Sequence, residues 1–183
     1  MRILILDGNL NAHDEKIECY FNALSDLLLS NQHIVHQIRI ADQAIRYCIG
    51  CWACWVKNPG ECIFKDDSHY ICREYINSDF VIFASPVIMG FTSAHLKKVQ
   101  DKLIPLLHPY IEIVNGECHH RKRYANYPKF GLLLENSDVI DKDDIQIITD
   151  MYNRFALNFR TELVFTRFNS DPIEEIVDAI NHI

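Results

Sequence analysis

No stretch of this sequence stays apolar for the roughly 18–20 residues that crossing a bilayer requires, so a membrane-spanning reading is set aside. The start carries no basic n-region, apolar h-region or cleavage site. Met1 to Asp7 reads as a short buried strand instead, and a cytoplasmic location is expected. Internal repeats, low-complexity tracts and linkers are also missing, and the 183 residues suit one domain over 1–183 with one sizeable core. Positive charge is in short supply: 18 Lys and Arg face 25 Asp and Glu, a net charge of −7. Such a chain is repelled by nucleic acid and by anionic lipid outside a local basic patch, so neither is expected as a partner. No spacing of Ser, His, Asp and Cys suggests a nucleophile triad, and no catalytic acid–base residue is assigned.

Cysteine, by contrast, is plentiful. There are seven, and four crowd into Cys48, Cys51, Cys54 and Cys62. An odd count in a chain with no export signal argues against a disulfide frame. Three thiols at intervals of three can converge from one loop, with the fourth closing the group from across the turn at Asn58-Pro59-Gly60. The opening C-x2-C-x2-C is shared with bacterial ferredoxin runs, although there the last cysteine follows sooner. Zinc sites more often present two separated C-x2-C pairs. Two readings stay open, an iron–sulfur cluster on these four residues and a set of partly buried thiols packed against Trp52 and Trp55. Those are the only two tryptophans. They can stack on a planar ring or cover apolar surface beside a subunit contact, and a homo-oligomer is expected.

Strand and helix periods alternate along the chain. Buried strands are expected near 2–7, 33–40, 79–84, 129–134 and 161–167, and amphipathic helices over 11–30, 67–77, 93–107 and 141–159 and after Pro172. Asn11 and Asp67 are the expected helix caps. Such alternation predicts an α/β, doubly wound, three-layer sandwich around a five-stranded parallel sheet, with the flavodoxin-like order 2-1-3-4-5. In that topology ligands sit beyond the carboxyl ends of the strands. The loops at 8–13, 48–62, 85–92 and 135–138 should therefore gather there. The basic run His119-His120-Arg121-Lys122-Arg123 suits a solvated loop or subunit contact better than a grip on a nicotinamide phosphate.

The segment from Tyr47 to Asp67, YCIGCWACWVKNPGECIFKDD, resembles the corresponding segment of flavodoxin-like NADPH-dependent FMN reductases. It also resembles the compact cysteine motif of the iron–sulfur flavoproteins in that superfamily. The run from Ser85 to Ser93, followed by Leu96-Lys97 and Asp101-Lys102-Leu103, is similar to the superfamily's flavin-ring loop and helix. The resemblance implies FMN as cofactor, with Ser85 and the backbone of Pro86, Val87, Ile88, Met89 and Gly90 facing the flavin. Trp52 is the candidate stacking residue. It also implies a [4Fe–4S] cluster on Cys48, Cys51, Cys54 and Cys62. Gly8, Asn9, Asn11 and His13 would form the phosphate loop, but this loop departs from the superfamily in having no Ser or Thr. Asp14 and Glu15 add negative charge there, so weak FMN binding is expected. The implied function is an FMN-dependent NAD(P)H oxidoreductase, of flavin- or quinone-reductase type, that passes electrons to a small-molecule or protein acceptor. The alternative is a flavodoxin-fold binding or regulatory protein with weak or lost FMN binding.

Overall fold

In the computed structural model, residues 1–10, 15–136 and 140–183 are described. The first strand, β1 (Arg2–Asp7), leads to helix α1 (Glu15–Ser30) and then to β2 (Ile34–Arg39). A long excursion holds only the four-residue α2 (Ala53–Val56) before α3 (Ser68–Ile76). Next come β3 (Phe80–Ile88), β4 (Phe91–Thr92), α4 (Ala94–Lys102), β5 (Leu107–Val114) and β6 (Glu117–Lys122). The chain continues through β7 (Lys129–Glu135), α5 (Lys142–Phe159), β8 (Leu163–Phe168) and α6 (Ile173–Asn181).

The main sheet runs β2-β1-β3-β7-β8, and every neighbouring pair along it is parallel. Renumbered over these five strands, this is the expected 2-1-3-4-5 order of the flavodoxin-like fold. The strands are apolar without interruption because both faces are covered. Leu4, Leu6, Val81, Phe83, Phe130 and Leu132 pack beneath α3, α4 and α5. Ile3, Ile5, Phe80, Ile82 and Leu133 point the other way, onto Phe21, Leu24 and Leu28 of α1 and Ile176 and Ile180 of α6. Among the described residues no helix is long and apolar enough to cross a membrane.

Four features differ from expectation. β3 does not stop at Ala84 but runs on to Ile88 and folds back as a hairpin, Val87 opposite Thr92 and Ile88 opposite Phe91. Pro86 is tolerated because pairing with β1 ends at Ala84, leaving the strand an edge on that side. α4 ends at Lys102, and Pro105 sits in a separate 3-10 turn over Ile104–Leu106. The basic run is no loop: His119 to Lys122 lie in β6, paired antiparallel with β5. Finally, Asp67 makes no capping bond to α3. Asp66 takes that part, accepting from Ser68 N at 3.0 Å, while the Asp67 carboxylate accepts from Ala44 N at 2.7 Å. Asn11, the other expected cap, lies outside the described residues.

The tip of the β3–β4 hairpin is Met89-Gly90, both with positive φ, 51° and 75°. At Gly90 an added Cβ would stand 2.6 Å from an oxygen of Asp144, in the first turn of α5. The hairpin is therefore held close over the α5 start. Gly90→Ala should destabilise the protein by about 1–3 kcal/mol, combining left-handed strain with the close contact. Denaturant unfolding measures it; a loss under about 0.5 kcal/mol would mean that the tip moves away from α5 at little cost.

Candidate functional site

Two groups of candidate residues lie at opposite ends of α4. At its start, Ser93 caps the helix, its Oγ accepting from Leu96 N, and ties together two of the loops singled out in the sequence. Its hydroxyl donates to the Gly8 carbonyl at 2.6 Å, and its N–H donates to Ser85 Oγ at 2.8 Å. Gly8 is required here, since a Cβ would meet Ala84 O at 2.9 Å and the Ser93 Oγ at 3.0 Å. The Gly8 N–H already donates to Ala84 O at 2.8 Å. Asn9 is buried, with its backbone N–H and its side-chain amide both on Asp7 Oδ1, at 3.0 and 2.6 Å. The N–H groups of Gly8 and Asn9 are therefore committed inside the protein. Asn11, His13 and Asp14 lie outside the described residues. Glu15 opens α1, and Glu18 in the same turn pairs with Arg39 at 2.7 Å.

Beyond these contacts, a small crevice opens at the carboxyl ends of β1, β3 and β7, bounded by Asn9, Ser85, Leu134 and Asn169. Tyr20 of α1 lines it, and its buried hydroxyl has no hydrogen-bond partner among the described residues. Burial first, and then Asp171, push this phenol up to about 12, so it is a proton donor over the physiological range. A buried donor without a partner is costly unless a ligand completes it. In the sequence Tyr20 is indistinguishable from the helical stripe of α1; only its hydroxyl, without a partner among the described residues, marks it. Along the hairpin, Pro86, Val87 and Gly90 are half-buried, Ile88 is exposed and Met89 is wholly exposed.

At the other end of α4 the cysteine excursion folds down. Its base is clamped: Ala44 N donates to Asp67, Asp67 N returns to the Ala44 carbonyl at 3.2 Å, and Arg46 N donates to Asp66 at 3.1 Å. Trp55 anchors the far side through Nε1 to the Leu107 carbonyl at 3.0 Å and packs on His120 of β6. Trp52, in the left-handed region with φ 59°, stacks on Trp55 with ring centroids 4.9 Å apart. These anchors draw the loop over the second half of α4. The structure thus places the cysteines away from the carboxyl edge where the sequence suggested all four loops would meet. Ser93 and Lys102 are separated by roughly 13 Å of helix at 1.5 Å per residue.

Cys48, Cys51, Cys54 and Cys62 line one cavity of about 80 Å³, closed by Trp52 and Lys102. Burial first, then the sulfurs of Cys48, Cys62 and Cys51, push the Cys54 thiol up. Among the described residues no set of three His, Cys, Asp or Glu side chains is drawn in far enough for a metal ion. Four thiols around one cavity are the type of donor set that holds iron–sulfur clusters, which are wider than a single ion. Cys72 is different. Its Sγ turns inward to the Lys102 carbonyl at 3.2 Å, and burial pushes its thiol up to about 12. At pH 8 an alkylating reagent should modify the exposed Cys48 and Cys51 while sparing Cys72 until the protein unfolds. Peptide mass mapping reads this; early labelling of Cys72 would contradict the packing of α3 on α4.

A larger hollow of about 460 Å³ adjoins the sulfur cavity, sharing Cys48, Gly50, Asp101 and Ile104 with it. Its walls are mainly Phe91, Tyr152, Phe155 and Phe159, with His120 as a polar group. Burial, the leading cause, lowers the His120 pKa and favours the neutral ring. The other basic residues of the run are engaged within the protein. Arg121 pairs with Glu112 at 3.4 Å, Lys122 donates to the Ala125 carbonyl at 2.5 Å, and Arg123, just past β6, donates to the carbonyls of Pro105 and Leu107.

No family model matches the chain. Among curated proteins it is 38% identical over 74 residues to an iron–sulfur flavoprotein of Archaeoglobus fulgidus, covering 40% of this chain and 33% of that protein. It is 39% identical over 69 residues to an iron–sulfur flavoprotein of Methanocaldococcus jannaschii, covering 38% and 35%. The matches thus span about a third of each relative's length. Among solved structures, an FMN-dependent NADH-azoreductase from Bacillus anthracis in complex with FMN superposes with a TM-score of 0.61 at 13% identity, covering 99% of this chain and 94% of that one. An NADH:FMN oxidoreductase in its apo form superposes with a TM-score of 0.58 at 13% identity, covering 99% and 87%. At such identities these structures show the shared fold. The chain thus combines the flavodoxin-like fold with a segment similar to iron–sulfur flavoproteins, as its sequence motifs suggested.

Proposed function

We propose that the chain is an FMN-dependent NAD(P)H oxidoreductase that also carries a [4Fe–4S] cluster on Cys48, Cys51, Cys54 and Cys62. The observation that carries this reading is the convergence of all four cysteines on one cavity. The Tyr20 hydroxyl in the crevice at the strand ends, without a hydrogen-bond partner among the described residues, adds support for a cofactor there. FMN would accept a hydride from NAD(P)H, and the cluster would accept electrons one at a time. The chain's own residues position these groups. Tyr20 would donate to FMN, the hairpin from Pro86 to Gly90 would lie along the ring, and Ser93 would lock the two loops to α4. The aromatic hollow beside Cys48 has the size of a small-molecule site and would receive a flat acceptor. Exposed Tyr110, Ile111 and Ile113 on β5 make a second copy of the chain our proposed partner for that face.

One observation favours the alternative of a binding or regulatory protein without tight FMN: the Gly8 and Asn9 N–H groups are already spent on Ala84 and Asp7. A single preparation decides. Protein purified anaerobically and reconstituted with FMN, iron and sulfide should show flavin bands plus broad visible absorbance, both bleached by NADH or NADPH. Absorbance from the cluster alone, with no flavin retained after gel filtration, would favour the alternative. A colourless protein would overturn both cofactor assignments.

A further inference from the structure

The cavity that holds the sulfurs has an ammonium built into its wall. Lys102 is the last residue of α4, and its side chain is only 2% exposed. Its Nζ donates to Cys62 Sγ at 3.3 Å and to Asp66 Oδ2 at 3.3 Å, and it lies 5.2 Å from the Phe64 ring centroid. An ammonium has three donors, so two hydrogen bonds and an aromatic face account for its whole head. Asp66 is itself only 7% exposed and is held from behind by Ser68 N, Ser68 Oγ and Arg46 N. Burial would raise the Asp66 carboxyl, yet these donors together with Lys102 leave it below the ordinary carboxylate range. The carboxylate thus keeps its charge and cannot turn away to release the lysine.

A buried ion pair is weak evidence of a contribution to stability, because the desolvation of both ions offsets their attraction. A reason for this one is that it points a fixed positive charge at a single cysteine sulfur. Cys62 is the outlying member of the run, and the three others have no such donor among the described contacts. We propose that Lys102 is a positioning residue that sets the reduction potential of the cluster through Cys62, with Asp66 as its counterweight. The proposal rests on the cluster reading above. Hydrogen bonds and charges at ligand sulfurs are among the means by which a protein tunes such potentials. The Lys102 ammonium favours the state with more negative charge on the Cys62 sulfur and so raises the potential. The Asp66 carboxylate opposes it. In a site this buried the two charges are poorly screened by salt.

The test uses the reconstituted protein and two variants, Lys102→Gln and Asp66→Asn, each titrated anaerobically with redox mediators while the cluster absorbance is followed. Lys102→Gln should shift the balance of the two oxidation states about tenfold toward the oxidised form, about 59 mV lower for a one-electron couple. Asp66→Asn should move it the other way by a similar factor. Opposite signs are the signature, since a structural lesion at either residue would not reverse direction. Should Lys102→Gln leave Asp66 uncompensated and fail to fold, the upward shift in Asp66→Asn alone decides. Unmoved potentials, or shifts of the same sign, overturn the inference while leaving the cluster intact. A wild-type protein that takes up no cluster overturns the proposed function, and this inference with it.

Discussion

Cys51→Ser is expected to abolish the broad visible absorbance of the reconstituted protein and to cut its iron content at least about tenfold. The magnitude follows from a comparison: losing even an outer partner of a metal ligand costs about 10–100-fold in affinity, and a ligand itself costs no less. Cys51 is exposed, so the substitution removes a sulfur without opening the core. Cys118→Ser is the matched control. Cys118 is also exposed, but it lies on β6, outside the residues that border the sulfur cavity. Its absorbance and iron should equal those of the wild type. If both variants keep their iron, the metal lies elsewhere; if both lose it, the effect is general damage and carries no information about ligation.

The largest stability effect is expected at Phe83. This ring is fully buried on the α3–α4–α5 side of the sheet. It makes edge or tilted contacts with Tyr75, Phe130, Tyr152 and Phe155, at centroid distances of 5.3 to 6.2 Å. These neighbours come from α3, β7 and α5, so the ring locks two helices and a strand against β3. Phe83→Ala should cost about 3–5 kcal/mol from lost burial and the cavity left behind. For a chain of this size that lowers Tm by roughly 6–20 °C, at about 2–4 °C per kcal/mol. Calorimetry or denaturant titration measures it. A loss below about 1.5 kcal/mol would mean that the surrounding rings collapse into the space.

Much of this architecture was legible in the sequence, and the reason is specific. Strands covered on both faces must be apolar throughout, so runs such as Phe80-Val81-Ile82-Phe83-Ala84 stand out, and their alternation with helices restricts the topology. The β5–β6 ribbon escaped because it lies outside the main sheet and exposes Tyr110, Ile111 and Ile113, which dilutes its period. A signal was nevertheless present. Asn115-Gly116 forms its turn with φ of 50° and 83°, and Asn-Gly between strand-like residues is a strong hairpin mark. At the site, the cysteine spacing pointed to a shared cavity, but nothing local placed that cavity at the far end of α4. That placement depends on Trp55 reaching Leu107 and on Arg123 bracing the same turn, contacts spanning 52 and 16 residues. Lys102 stood in the sequence only as part of the Asp101-Lys102-Leu103 run that resembles the superfamily's helix, and nothing local pairs it with Asp66. Only tertiary packing turns the two toward Cys62.

The clamp at Ala44–Arg46 and Asp66–Asp67 has a consequence for how such a protein can change over time. The two ends of the cysteine excursion are hydrogen-bonded side by side, so β2 and α3 are joined independently of what lies between. Lengthening a loop whose ends already meet is cheap, about 0.6 kcal/mol for each doubling. The span between the clamps is in effect a cassette. It can be exchanged, extended or emptied of cysteine while the sheet and the loops at the start of α4 keep their places. New chemistry can thus be grafted onto this scaffold, or deleted from it, without the fold having to be invented again.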